Sequence, residues 1–575
     1  MENRQLAETF EAIGDLLEIK GEVVYKVLAY RRAAESIRSQ SRAVQDLWRE
    51  GELRSIPGVG EALATKIDEL LHTGKLKFFE ELKREVPVTL VEVLRVGDVG
   101  PKKAARFWKE LGVKDLPGLE AAARAGRLQG MPGMGARSEA RILESIEALR
   151  ARQTGRVSIA RALPVAERLL ESLRAVPGVV AAEMAGSLRR RRETVGDIDL
   201  LVGAQRPRDV IGAFLALPEI GRVRGQGDTK ASVELANGLA VQLWVHPPEH
   251  FGTALQYATG SQAHNVRLRE LAQSKGLSLS EHGFKASSGK MRECADEAEV
   301  YAVLGLPWIA PELREDRGEV QAALEGHLPE LLTLADIRGE LHAHTDWSDG
   351  SNTLEEMAEA AAASGLEYLV ITDHSKSLGV ANGLTPERVR QQRRKIEALQ
   401  RKLGDRVRLL HGTEVEVLAD GQLDFADDVL AAFDLVTASV HSSLRQSRDR
   451  VTARMLAAIR NPHVDIIGHL TGRMIGTRDA ADLDLEAVFL AAAEQGVALE
   501  INSHPERLDL NDVHARRASE VGCLLAVNTD AHRPEHFGLR SYGIGIARRA
   551  WVTRANVVNA WEVEQVLRWA AGHAR

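Results

Sequence analysis

Nine side chains in the last two-fifths of this 575-residue sequence are of types that hold metal ions: His342, His344, Asp349, His374, Glu414, His441, His469, Asp530 and His532. Nearly all of them directly follow a short β-branched run, and 12 of the 18 histidines lie after residue 335. A single His after a strand is ordinarily structural; a whole series in the same place is not. Parallel strands closed into a barrel bring their C-terminal ends to one face, so His342 and His532, 190 residues apart, can share a cluster. Imidazole and carboxylate donors without thiolates suit Mn, Zn or Fe. His411, His463, His504 and His514 fall outside the pattern and are expected on the surface or in the core.

A second group lies upstream. Asp197 and Asp199, at i and i+2 in an apolar run, face one side of a strand, where two carboxylates can hold divalent cations. Gly186, Ser187 and Arg190 just before them offer backbone, hydroxyl and guanidinium donors to a triphosphate. A third group is repeated. Gly58-Val59-Gly60, Gly97-Asp98-Val99-Gly100 and Gly133-Met134-Gly135 each join two helical runs, at a spacing of roughly 35–40 residues. Glycines there let backbone amides at the following helix start approach a phosphate, with Lys66, Lys102, Lys103, Arg137 and Arg141 nearby.

The elements that must position these groups follow from periodicity. Residues 1 to about 150 read as helical throughout. From about 155 to 245 helices alternate with strands, including Ala231–Ala236 and Leu239–Val245 around Asn237-Gly238, a two-residue hairpin signal that pairs Gln242 with Val233. Pro248–Lys275 reads as helical, and the charged run Arg314–Gly318 as the approach to a linker. Beyond Asp336, strands at Tyr368–Thr372, Val407–Leu410, Leu435–Val440, Val464–Ile467, Val497–Ile501 and Leu524–Val527 alternate with helices, the rhythm of parallel βα units.

Composition sets limits. With 44% hydrophobic and 27% charged residues the chain is globular, and Cys294 and Cys523 alone make no disulfide framework. No apolar run approaches the ~18 residues of a membrane span, so a soluble, unexported, cytoplasmic protein is expected. Net charge −7 argues by itself against a dedicated nucleic-acid binder. Its distribution reverses that inference: positions 1–330 balance 47 basic against 47 acidic residues, and 331–575 hold 28 against 35. Residues 101–200 alone carry 19 basic and 12 acidic, a stretch that runs from the helix after the second glycine loop through the third loop to Arg189–Arg192.

The loops resemble helix-hairpin-helix motifs, which clamp the DNA backbone without reading sequence. The segment from Gly186-Ser187 to Gly196-Asp197-Ile198-Asp199 resembles the nucleotidyltransferase signature of family X DNA polymerases, and Tyr257-Ala258-Thr259-Gly260-Ser261 with Asn265 matches that family's nucleotide-contacting segment. The histidine and carboxylate series is similar to the polymerase and histidinol phosphatase (PHP) domain, with all nine ligand positions filled. Together these cover essentially the whole chain, which is identified as a bacterial family X polymerase with a C-terminal PHP domain.

The resemblance implies a multidomain α/β protein: a helical DNA-binding or lyase-like domain (1–85), fingers with helix-hairpin-helix motifs (86–154), a mixed-sheet palm (155–247), a thumb (248–317), a linker (318–335) and a distorted (βα)7 barrel (336–575). It implies nucleotide binding by Gly186, Ser187, Arg190, Gly196, Tyr257, Gly260 and Asn265, and DNA backbone contacts by Lys26, Tyr30, Gly58, Gly60, Gly97, Gly100, Lys102, Lys103, Gly133 and Gly135. Lys66 matches a Schiff-base lysine that excises 5′-deoxyribose phosphate, with Lys26 and Tyr30 as its phosphate-binding neighbours. Implied cofactors are Mg or Mn at Asp197 and Asp199 and two to three Mn, Zn or Fe ions in the barrel. Implied partners are gapped, recessed or nicked duplex DNA and dNTPs, with the chain a monomer.

Three positions depart from the family. Its third palm carboxylate is Gln242 here, a neutral amide that is a poor ligand for a hard cation and cannot accept a proton from the primer hydroxyl. Glu234 is no substitute if Gln242 pairs with Val233, since it then faces the other side of the hairpin. Ala258 stands where an aromatic is common and Arg191 where Gly is common. The expectation is gap filling with weak synthesis, joined to a complete 3′→5′ exonuclease. Two alternatives stay open: a polymerase-defective gap-binding scaffold, and a barrel that hydrolyses small-molecule phosphoesters.

Overall fold

The computed structural model describes residues 3–38, 44–56, 58–94, 96, 99–131, 134–136, 138–143, 145–146, 156–378, 381–444 and 446–573. The chain divides into two compact units, Met1–Gly155 and Arg156–Arg575.

The first unit is helical. The longest pair, Asn3–Lys20 and Val24–Arg38, buries Phe10, Ile13, Leu16, Val27 and Tyr30 in one apolar cluster. Gly60 and Gly100 stand immediately before the helices Glu61–Thr73 and Pro101–Leu111, with extended backbone and no side chain over the first-turn amides. Their carbonyls accept from Ala64 and Ala104 at 2.9 and 3.0 Å, while Gly58 takes a positive φ of +80° that a Cβ would strain. Gly135 likewise accepts from the Ser138 amide at 2.9 Å. Gly97, Gly133 and Arg137 lie outside the described residues.

The second unit begins with a five-stranded mixed sheet ordered Val179–Met184, Ile198–Ala204, Ala240–His246, Lys230–Leu235, Ile220–Gln226. Its alternating residues Ile198, Leu200 and Val202, with Val241, Leu243 and Val245, pack under the helix Ile159–Arg174. The opposite face carries Asp199 and Gln242. Pro248–Lys275 is not one helix: a short turn at Pro248–His250 leads to helices Phe251–Thr259 and Gln262–Ser274, broken at Gly260-Ser261.

The approach to the expected linker and the linker's first residues are held by buried partners. Arg314 is fully buried, ion-paired to Glu297 at 2.5 Å and hydrogen-bonded to the Ile309 carbonyl. Glu319 opens the helix Glu319–Glu325, is also fully buried, and accepts from His264 at 2.7 Å and from the Asp316 and Arg317 amides. A charged run marks a flexible segment only when its charges meet water; these meet partners.

Seven parallel strands follow, in chain order around a barrel: Gly339–Glu340, Tyr368–Ile371, Arg408–Glu416, Leu435–Ser439, Ile466–Ile467, Ala498–Asn502 and Leu525–Asn528. The last returns to the first through the parallel bridge of Ala343 with Ala531, where the His344 amide donates to the Ala531 carbonyl at 2.7 Å. The barrel docks on the palm and thumb through its helix Arg540–Arg549. Arg549, 2% exposed, pairs with Glu315 at 2.9 Å and Asp512 at 2.8 Å and donates to the Arg190 carbonyl. Arg473 reaches Glu193 at 2.7 Å. Arg191, at the position where the family often has Gly, has φ +55° and lies over Gly545, whose added Cβ would meet it at 3.2 Å.

Candidate active sites in the palm and the barrel

Asp197 ends the turn before the strand Ile198–Ala204, and Asp199 is that strand's second residue, in register with Gln242 on the neighbouring strand. Gln242 Nε2 donates to Asp197 Oδ2 at 2.7 Å. The third-carboxylate position is therefore where a shared cation would need it, but it presents N–H to a carboxylate instead of an anionic oxygen to a metal. Burial, then the neighbouring Asp197, pushes the Asp199 carboxyl up to about 7. Gly186, at φ +59°, passes so close that a Cβ would stand 2.1 Å from Asp199 Oδ2, so only glycine fits there.

The hairpin register differs from the expected one. Gln242 pairs with Ser232, not Val233, because Leu235 pairs across to Leu239 and the connection is the three residues Ala236–Gly238. The one-residue shift puts Glu234 on the Gln242 face. Glu234 is nonetheless no replacement ligand: it sits opposite Ala240 and is bound by Arg224 at 2.5 Å.

Ser187 lies in the short helix Gly186–Arg189, Gly196 is exposed in the turn before Asp197, and Tyr257 is 44% exposed. Two residues expected at the nucleotide are engaged by protein. Arg190 donates to Glu315 at 3.1 Å and to the Thr259 carbonyl at 2.5 Å, against Gly260. Asn265 is buried, donating to the Tyr257 carbonyl at 2.8 Å and accepting from Gln256 at 2.7 Å. Buried amides are rarely left unpaired, and this pairing makes Asn265 a brace for the Tyr257–Gly260 turn.

In the helical unit, Lys66 and Lys26 each place Nζ 5.5 Å from the centre of the Phe78 ring, and Tyr30 stacks on that ring at 5.8 Å. Two residues of the helix Val24–Arg38 and one from Glu61–Thr73 thus gather at one aromatic side chain. Lys26 also pairs with Glu22 at 3.4 Å, and burial pushes the Tyr30 hydroxyl up to about 12.

Five of the nine barrel residues meet at a sixth, Glu414, and the other three join through them. Its Oε1 lies 3.4 and 3.0 Å from His441 and His469 Nε2; its Oε2 lies 3.4, 3.5 and 3.0 Å from His342 Nε2, His344 Nε2 and His374 Nδ1. Asp349 stands 3.4 Å from both His374 and His532, and Asp530 is 3.2 Å from His344. Three overlapping groups can each hold an ion: His344, Asp349, His374 and His532; His342, His344 and Asp530; His374, Glu414 and His441. Both Glu414 oxygens, His342 Nε2 and both His344 nitrogens are buried without a hydrogen bond, the state of atoms whose lone pairs are directed at a cation. The residues present therefore fit divalent metal.

Burial alone would raise the Glu414 carboxyl, yet His441, His342 and His374 hold it well below the usual range. Burial, with His532 and His374, pushes His344 down to about 3, the neutral imidazole a metal requires. Two of the nine, His469 and Asp530, take positive φ of +24° and +51° just past strand ends, strain that recurs at functional sites.

The sequence reading missed the groups that aim these ligands. Glu500 accepts from His342 Nδ1, and Glu416 from His441 Nδ1, both at 2.7 Å, leaving each Nε2 for the centre. Both are carboxylates on buried strands, a signal that was open to reading. Arg507 Nε lies 3.8 Å from Asp530. His411 is outside the centre, as expected, and bonds Gln392 at 3.1 Å, which bonds Asp373 beneath the His344 loop.

Comparison with known proteins decides the family. The sequence matches models of a helix-hairpin-helix domain at residues 1–76, a SAM-like helix-hairpin-helix tandem at 90–148, the DNA polymerase beta thumb at 254–315 and the PHP domain at 340–504. It is 38% identical to the DNA polymerase/3′-5′ exonuclease PolX of Bacillus subtilis, over 98% of this chain and 99% of that one. The chain belongs to the PHP-bearing family X DNA polymerases. This family X chain is also 28% identical to DNA polymerase lambda of Rattus norvegicus, over 54% of its length and 56% of that protein's. It is also 31% identical to a probable phosphatase of Thermoanaerobacter, over 38% of this chain and 89% of that one.

Proposed function

We propose that this family X chain fills short gaps in duplex DNA at the palm and removes 3′ nucleotides at the barrel, with the barrel the stronger catalyst. The observation that carries the ranking is the contrast at one position: Glu414 is met by five imidazoles, whereas Asp197 is met by the Gln242 amide. Divalent metals at both sites would supply charge stabilisation for in-line attack at phosphorus. Asp197 and Asp199 would hold the nucleotide's cation, and Gly186, Ser187, Gly196, Tyr257 and Gly260 would seat the nucleotide. Arg190 would join them on leaving Glu315. In the barrel the nine ligands would hold two or three Mn, Zn or Fe ions, with Glu500 and Glu416 fixing the imidazoles and Arg507 placed to meet a phosphate oxygen.

Gly58, Gly60, Gly100, Gly135, Lys102 and Lys103 would bind the DNA backbone, as would Gly97 and Gly133 by their place in the motif. Lys66, with Lys26 and Tyr30, would excise 5′-deoxyribose phosphate; borohydride trapping on abasic DNA that persists in Lys66→Ala would refute this. Acting on DNA with dNTPs, it would work in the cytoplasm; among the described residues no helix is long and apolar enough to cross a membrane.

The decisive experiment incubates labelled recessed and one-nucleotide-gapped duplexes with Mn or Mg, with and without dNTPs. Wild type should degrade the recessed 3′ end and extend the gap slowly; His344→Ala should abolish only degradation. Degradation that survives His344→Ala would overturn the nuclease assignment.

A further inference from the structure

A second histidine cluster lies outside both active sites, at the junction of palm and thumb. His246 is the last residue of the strand Ala240–His246, and His250 ends the turn Pro248–His250 that leads into the thumb. His282 sits at the tip of the hairpin between Leu277–Ser280 and Gly283–Ala286. One ring nitrogen from each lies within 4.8 Å of the other two. Ring centres are 6.0 Å apart for His246 and His282 and 5.9 Å for His250 and His282. A carboxylate lies beside the group: Glu293 Oε1 is 3.1 Å from His250 Nε2.

We propose that His246, His250, His282 and Glu293 form a transition-metal site, with zinc as its best-fitting occupant, that fastens the thumb hairpin to the end of the palm sheet. Ligands at about 2.0–2.1 Å from a tetrahedral zinc stand about 3.3 Å from one another. The His250–Glu293 pair has about that separation, and the His246 and His282 nitrogens, within 4.8 Å of that of His250, would have to close the remainder by side-chain rotation. His282 is the freest to turn, with 58% of its side chain exposed.

The donor set selects the metal. Three nitrogens and one carboxylate suit zinc, cobalt or nickel, whereas magnesium prefers oxygen and keeps its waters. The cluster is also separate from the palm carboxylates. His246 is in register with Gly203 and Gln242 with Asp199, four residues or about 13 Å along the same strands. A bound metal turns three crowded lone pairs into bonds.

The backbone supports the placement. Gly283 has φ +135°, and a Cβ there would meet the Arg292 carbonyl at 2.5 Å, so the hairpin turns tightly and holds His282 and Glu293 on adjoining segments. The two ends of the site, at 246–250 and 282–293, belong to elements otherwise joined by the helices Phe251–Thr259 and Gln262–Ser274. A metal across them restrains the hairpin against the palm.

The test uses the full-length protein, stripped with chelator, titrated with zinc, desalted and assayed for metal content. Wild type should retain one more zinc per chain than His282→Ala, whose exposed position leaves the fold intact. Glu414→Gln, altered only in the barrel, should keep that extra ion. Cobalt substitution should give a tetrahedral d–d band that His282→Ala removes and Glu293→Gln shifts. Zinc should slow amide exchange across 277–293 in wild type and leave it unchanged in His282→Ala. Equal zinc content and equal cobalt spectra in wild type and His282→Ala would overturn the proposal, as would zinc-insensitive exchange in the wild-type hairpin.

Discussion

The palm and the barrel place buried carboxylates in opposite electrostatic settings. Burial and a like-charged neighbour push Asp199 up to about 7, while imidazoles overcome the same burial to hold Glu414 and Asp530 well below the carboxylate range. The palm is an anionic notch that needs an incoming cation to become comfortable. The barrel is already balanced, with the imidazoles of His342 and His441 oriented by Glu500 and Glu416, an arrangement suited to holding divalent metal before substrate arrives. One chain thus holds a site that assembles with its substrate and a site that waits assembled.

The largest test of that difference is in the barrel. Glu414→Gln removes the carboxylate shared by five imidazoles, and a loss of several kcal/mol of transition-state stabilisation predicts at least about a thousandfold fall in 3′ degradation. Gap extension measured on the same preparation should be unchanged; a parallel loss would mean that the sites are not independent. In the palm, Gln242→Asp replaces an amide donor by an anionic ligand and should raise incorporation by about 10²–10⁴-fold in primer extension. Robust wild-type synthesis with no gain in that variant would break the comparison. Next in size, Glu416→Ala should weaken metal retention by about 10–100-fold in a chelator competition, because it frees the His441 ring. Retention as tight as wild type would show that burial alone orients that imidazole.

Much of this was legible because strand ends are legible. The barrel strands appear within a residue or two of the β-branched runs, apart from Arg408–Glu416, which extends six residues further and carries Glu414 into the centre. What sequence could not settle was pairing and partnership. A hairpin connection of three residues instead of two moves Glu234 to the other face, and nothing local distinguishes the two for Asn237-Gly238. Arg314 and Glu319 look like solvent-facing charges until partners over 17 and 55 residues away, Glu297 and His264, bury them. The cluster of His246, His250 and His282 was invisible for the same reason: it exists only once the thumb hairpin folds back on the palm.

The smallest effect concerns stability. A carboxyl raised from 3.8 to about 7 on folding costs stability that is complete above pH 7 and gone below pH 3.8, since the folded chain binds a proton that the unfolded chain releases. Asp199→Asn removes that cost along with a metal ligand. In chelator at pH 8 the variant should melt about 2 °C above wild type, an advantage that narrows as pH falls towards 5. Saturating magnesium should then stabilise wild type and not the variant, reversing the order. Differential scanning calorimetry across that pH range decides it: an advantage that grows towards pH 5, or none at pH 8, would mean that Asp199 is already compensated by the protein and that the palm is as self-sufficient as the barrel.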